Sequence, residues 1–148
     1  MIKLLCVLSF TLLLTACKTT PLTIHYQVTP VLNLSAEHKA LPLYTKLYQL
    51  QTSDQFLDIG LRELWRDDQN VLGKNLISHN ELTLQPGQTV KQSINLSHDA
   101  NVICIAGFYR KPWKKQWRDC HPLGQINRFV KNNLTVNVGT NGIKFIRK

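Results

Sequence analysis

Residues 110 to 118 read RKPWKKQWR and hold five basic side chains and two tryptophans, Trp113 and Trp117. That mixture suits a strip gripping single-stranded nucleic acid, where cations meet phosphates and aromatic faces stack on bases. Other chemistry-bearing residues are sparse. The histidines at 25, 38, 79, 98 and 121 are scattered, and no two share the short spacing of a zinc site. Asp67 and Asp68 are adjacent acids beside Arg66, a pattern better explained by a solvated turn than by a general acid and base. The chain has no G-x-S-x-G, phosphate loop or cysteine with a matched histidine. The expectation is a protein that is not an enzyme, with no catalytic residue, metal, cofactor or small-molecule substrate.

The elements that must position these residues begin after an address. MIKLLCVLSFTLLLTAC places Lys3 before an apolar run from Leu4 that stops at Cys17, the pattern of a signal peptide. The run to Leu14 is about half the length needed to cross a bilayer as a helix. Leu14, Thr15 and Ala16 before Cys17 resemble the lipobox of bacterial lipoproteins, in which the cysteine is acylated after cleavage just before it. Residues 1–16 are then a cleaved signal, 17–21 a lipidated tether and 22–148 one domain. An ordinary secretory peptide cut after Ala16 is the alternative. Lys18 is not the aspartate that retains lipoproteins at the inner membrane, so the resemblance implies the outer membrane, with the domain facing the periplasm. Cleavage removes the single charge of Lys3, taking the formal balance from +9 to +8. A basic periplasmic domain meets acidic proteins, cell wall and lipid head groups rather than nucleic acid.

Of the four cysteines, Cys6 leaves with the signal and Cys17 carries lipid, leaving Cys104 and Cys120. An even remainder in an oxidising compartment suggests a disulfide. NVICIAGFYR reads as a strand and KKQWRDCHPL as its return, with Pro112 in the connection. A hairpin centred there sets the two cysteines opposite each other, at bridging distance; two small buried thiols are the other reading. In such a hairpin Trp117 points largely inward and the lysines decorate the tip, which removes most of the nucleic-acid reading.

Elsewhere, LTIHYQVTPVL alternates Leu22, Ile24, Tyr26 and Val28 as a half-buried strand, and Pro30 places its end at a sheet edge or bulge. Asn33 to Pro42 breaks the alternation and forms a long loop, either a binding element or a tolerated insertion. LYTKLYQL resumes as a strand. The period then changes: Phe56, Leu57, Leu61, Leu64 and Trp65 recur at three and four, predicting a short helical insert, capped near Thr52 to Asp54 and broken at Gly60, with its aromatics packed on a sheet. HNELTLQPGQTVKQSINL is strand, Pro86-Gly87 turn, strand, and LTVNVGTNGIKFIRK ends similarly around Asn141-Gly142. GQINRFVKNN between them is a helical turn or a loop. Seven or eight short strands with one helical insert describe a mainly β, two-sheet sandwich.

The order of pieces is informative: a lipobox, a strand ending in Asn33, a variable loop, LYQL at 47–50, LGKNLI at 72–77, LTLQPGQT at 82–89, then ICIAGFYR and QWRD. This resembles the TssJ (SciN, VasD) family, the outer-membrane lipoprotein of the type VI secretion membrane complex. The resemblance implies a transthyretin-like β-sandwich, and a structural lipoprotein that binds the periplasmic C-terminal region of the inner-membrane subunit TssM, with TssL in the same complex. By position, the partner-binding loop corresponds to Asn33, Leu34, Ser35, Ala36, Glu37, His38, Lys39, Ala40 and Leu41. There Leu34 and Leu41 are apolar anchors and Glu37, His38 and Lys39 a polar rim. The Cys104 and Cys120 pair lies outside the family's general pattern. Another periplasmic lipoprotein binder is the runner-up: a pilotin, or a lysozyme inhibitor, which a +8 domain suits poorly because its target is basic. A peptidoglycan-active enzyme would need convergent acids that are not evident. The basic hairpin is left to face an anionic membrane, an acidic partner or solvent.

Overall fold

The computed structural model describes residues 19–125 and 132–147. Cys17, Lys18 and most of GQINRFVKNN lie outside the described residues. β1 (Thr20–Val28), β4 (Thr89–Leu96), β7 (Asn132–Gly139) and β8 (Gly142–Phe145) form one four-stranded sheet in the order β4-β1-β7-β8. The second sheet, in the order β3-β2-β5-β6, is built from β2 (Leu43–Leu50), β3 (Leu76–Leu84), β5 (Val102–Gly107) and β6 (Arg118–Pro122). Two helices, α1 (Asp54–Asp58) and α2 (Leu61–Leu72), follow β2 and are separated at Gly60. This is the expected two-sheet sandwich with a helical insert.

Alternation sets the core. Leu22, Ile24, Tyr26 and Val28 of β1 meet Leu43 and Leu47 of β2, Ile103 and Ile105 of β5, and Val136 and Val138 of β7 between the sheets. A second apolar cluster covers the outer face of the second sheet, where Phe56, Ile59, Leu64 and Leu72 of the helical insert pack on Tyr48, Leu50, Val102, Cys104 and Cys120. Every residue of β5 is therefore buried, because both its faces are covered. Gln49, 3 % exposed, ties the sheets together: its side-chain NH₂ donates to the Asn95 carbonyl (2.9 Å) and its oxygen accepts from the Ser97 N–H (2.8 Å).

Several local expectations need correction. β1 begins at Thr20, paired with Leu96, ahead of Leu22, so Thr20 and Pro21 belong to the sheet and not to a tether. β1 lies between β4 and β7, so Pro30 marks no edge or bulge; the strand ends at Val28 and Pro30 follows in the connection. The same boundary removes Asn33 from the strand. Pro86-Gly87 is a turn with Gly87 at φ +73°, but it joins β3 to β4 in different sheets. The last turn is centred on Thr140-Asn141, and Gly142 opens β8 at φ +137°. A Cβ on Gly142 would lie 2.3 Å from the Gln116 carbonyl oxygen, so only glycine lets the β5–β6 connection bridge to β8 here. The aromatics of the insert do meet the sheet as expected: Phe56 is buried against it, while Trp65, 57 % exposed, contacts the Tyr44 and Phe108 rings edge-to-face.

Candidate functional site

Strand direction gathers four connections at one end of the sandwich: Thr29 to Pro42 after β1, Gln85 to Gln88, Phe108 to Trp117 between β5 and β6, and Thr140-Asn141. Backbone hydrogen bonds lace them together. The Thr29 N–H donates to Val138, Gly87 to Thr29, Phe108 to Tyr44 and Gln116 to Asn141. The chain enters β1 at the opposite end, beside Leu96.

The loop is folded on itself. Asn33 adopts φ +45° and His38 φ +61°, conformations that asparagine and histidine tolerate better than most residues. The Asn33 NH₂ group donates to the Pro42 carbonyl (2.8 Å), and its side-chain oxygen accepts the Arg110 N–H (2.9 Å). Asn33 is 7 % exposed and so is the loop's fastening. The Ser35 hydroxyl oxygen accepts the N–H groups of Glu37 and Lys39, both at 3.2 Å. Further backbone bonds run from His38 N–H to Ser35, Ser35 N–H to Lys39 and Leu41 N–H to Leu32. Leu34, Ser35 and Leu41 are half-buried, leaving Ala36, Glu37, His38, Lys39 and Ala40 as the exposed crest.

The basic strip divides as its position in a turn requires. Trp117 is half-buried against both apolar clusters, with the Arg118 guanidinium 4.3 Å from its ring centre. Arg118 turns inward and donates to the carbonyls of Phe56 and Ile59, fixing α1 to the sheet. Trp113 is 73 % exposed. The Lys115 ammonium donates to the Thr140 carbonyl. The strip therefore offers no continuous aromatic ladder. What the sequence did not connect is that Arg110, Lys111 and Lys115 face Asn33, Leu34, Ser35 and His38 across a cleft of about 230 Å³. The only sequence signal for this meeting was Asn33 itself, a residue type suited to positive φ.

Cys104 and Cys120 pair directly across β5 and β6, with sulfurs 2.02 Å apart, beneath the helices. Asp68 is not on a solvated turn. Asp67 leaves helical geometry (φ −161°, ψ 64°) and its carboxylate accepts the Asn70 N–H, restarting the helix as a cap and turning Asp68 inward. Asp68 accepts from the Lys46 ammonium (2.9 Å) and the Tyr48 hydroxyl (3.1 Å); Lys46 also reaches Glu81 (3.3 Å).

Desolvation alone would raise the Asp68 pKa, but the hydrogen bond and charge of Lys46, with the Tyr48 hydroxyl, outweigh it and hold the carboxyl below its ordinary range. A depressed carboxylate adds stability above its unfolded-state pKa and loses it as pH falls through the folded value. Asp68→Asn is expected to cost about 1–2 kcal/mol at neutral pH by leaving Lys46 short of its main partner. Urea unfolding at stepped pH checks this: the gap between variant and wild type should begin to narrow below about pH 4, the ordinary aspartate pKa, and close as pH falls through the lower folded value. A gap unchanged at pH 3 would contradict it. The network ties α2 to the sheet, and among the described residues no cluster of metal-ligating side chains forms.

A family model described as type VI secretion lipoprotein (VasD, EvfM, TssJ) matches residues 20–141. No curated protein sequence matches the chain significantly. The fold is similar to that of the T6SS lipoprotein TssJ1 from Pseudomonas aeruginosa, with TM-score 0.79 and 24 % identity over 88 % of this chain and 97 % of that one. It is also similar to Serratia marcescens Lip, a membrane-bound component of the type VI secretion system, with TM-score 0.79 and 22 % identity over 87 % and 98 %. A chain in a structure described as the T6SS protein TssM C-terminal domain from EAEC matches with TM-score 0.71 and 20 % identity, over 87 % and 99 %.

Proposed function

The chain belongs to the TssJ family of type VI secretion lipoproteins, a structural and not a catalytic family, and on that premise we propose that it is the outer-membrane anchor of the secretion complex. Cys17 carries the acyl chains, and each buried CH₂ contributes about 0.8 kcal/mol to membrane attachment. The domain hangs in the periplasm and holds the periplasmic C-terminal region of TssM, which places it in one assembly with TssL. In that compartment Cys104 and Cys120 are oxidised.

The observation that carries the reading is the Thr29 to Pro42 connection. Positive-φ residues, the Ser35 turn and the buried Asn33 hold it in one shape, with Ala36 to Ala40 outermost. A preorganised crest loses little conformational entropy on binding. It also stands at the end of the sandwich opposite the chain's entry into β1, where a tethered domain meets a partner approaching from the inner membrane.

The test is equilibrium binding of the full processed chain, extracted in detergent, to the purified periplasmic C-terminal region of the cognate TssM. A variant with Glu37, His38 and Lys39 all replaced by glycine is expected to bind at least tenfold more weakly with unchanged thermal stability. Intact mass of the extracted protein should show acyl chains on Cys17. Absence of TssM binding by the wild type would return the chain to the runner-up, another periplasmic lipoprotein binder, and a non-acylated mass would overturn the anchor.

A further inference from the structure

The cleft between the loop and the basic connection has an unbalanced lining. Arg110, Lys111 and Lys115 line one wall, and Ser35 and His38 belong to the other, with no acidic side chain among the lining residues. Among the described residues neither Arg110 nor Lys111 forms an ion pair. Their backbone is not loose, because the Arg110 N–H is bonded to buried Asn33. Trp113, the most exposed large apolar side chain described, sits in the same connection between Lys111 and Lys115.

Exposed tryptophan among lysines suits either a membrane surface or a protein partner. The topology favours the protein. β1 runs nine residues from Thr20 to Val28, roughly 27 Å at about 3.3 Å per residue. A lipid on Cys17 lies three peptide units before Thr20, a reach of about 10 Å. The membrane-held end is thus the end where β1 starts, and the cleft is at the other.

We propose that this cleft receives an acidic segment of the periplasmic partner, whose carboxylates pair with Arg110 and Lys111 while an adjoining apolar residue packs on Trp113. The proposal rests on the reading of the chain as a tethered TssM-binding adaptor and extends its contact surface beyond the loop. Oriented cations in a cleft steer an acidic partner and fix its register, which gives association a strong salt dependence. The aromatic beside them supplies the apolar contact that slows release.

The test uses the full processed chain in nanodiscs and the purified TssM C-terminal region, with rates measured across ionic strength. Arg110→Glu with Lys111→Glu is expected to lower the association rate about tenfold and to flatten its salt dependence, leaving the unfolding midpoint unchanged. Trp113→Ala is expected to raise the dissociation rate about tenfold. If the loop triple-glycine variant weakens binding while the charge-reversed variant associates as wild type at every salt concentration, the cleft proposal fails and the adaptor reading stands. If the wild type does not bind TssM, both fail. In vesicles containing phosphatidylglycerol, tryptophan quenching by brominated acyl chains that disappears in Trp113→Phe would place this surface on the membrane and overturn the proposal.

Discussion

Asn33→Ala is expected to lower stability by about 2–3 kcal/mol and to weaken TssM binding along with it. The side chain makes two hydrogen bonds to backbone groups, the Pro42 carbonyl and the Arg110 N–H, from a site only 7 % exposed. Truncation leaves both without this partner, and each buried group left unsatisfied costs about 1–3 kcal/mol. Alanine must also hold φ +45°, which non-glycine residues lacking a polar side chain resist. The consequence for binding follows because these bonds close the loop on its own last residue, Pro42, and join it to the basic connection; without them both walls of the cleft shift. Asn33→Gly separates the two causes, since it relieves φ but restores neither bond. It should recover about 1 kcal/mol of the loss, the cost of the left-handed conformation, and little of the affinity. Urea unfolding and TssM binding on the same three proteins decide the matter. An alanine variant as stable as wild type would show that the loop is held by something other than Asn33. This position therefore acts from below the surface, unlike Glu37, His38 and Lys39, although the resemblance placed all four in one partner-binding segment.

Loss of the Cys104–Cys120 bridge is expected to cost about 3 kcal/mol, the loop-closure value for a separation near fifteen residues. The separation here is 16, and the enclosed segment contains Arg110, Lys111 and Trp113. Cys104 is fully buried and Cys120 is 9 % exposed, in the apolar cluster that holds Phe56 and Leu64 of the helical insert. The comparison protein is Cys104→Ala with Cys120→Ala, which keeps small apolar groups in the cluster. Wild type should lose about 3 kcal/mol in reductant, and the double-alanine protein should be equally weakened with or without it. Two reactive thiols in denatured, unreduced wild type, or a midpoint insensitive to reductant, would contradict the prediction. The same bridge bounds the motion of the basic connection, so the reduced protein should also bind TssM more weakly.

Much of the architecture was legible because its signals are local. Alternation at Leu22, Ile24, Tyr26 and Val28 follows from the two-residue period of a strand beside one core. The change of period from Phe56 to Leu64 follows from a helix covering a sheet. The positive φ of Gly87 follows from glycine's conformational freedom, whereas Gly60 separates the helices in an ordinary extended conformation (φ −73°, ψ 148°). The facing of Cys104 and Cys120 followed from a hairpin centred near Pro112. The order of short motifs along the chain pointed to the family.

The tertiary structure decided what depends on residues far apart in the chain. Pro30 and the Pro86-Gly87 turn carry the same local chemistry at an edge or between two sheets, so pairing alone made β1 an inner strand and sent β3 and β4 to different sheets. Asp68 looked solvated because Lys46 and Tyr48, its partners, lie on β2 and not on its own helix, and a kink at Asp67 aims it at them. Trp65 and Trp117 are both tryptophans near apolar residues, yet only Trp117 is enclosed by two clusters. The loop and the basic strip are separated by some seventy residues in sequence, and only the shared strand ends of the sandwich bring them to one cleft. By itself the sequence determined the strands, the helical insert, the opposed cysteines and the family, since periodicity and short motifs are properties of neighbours. Which residues form the site was decided by the fold, because side chains meet through strand register and the packing of two sheets.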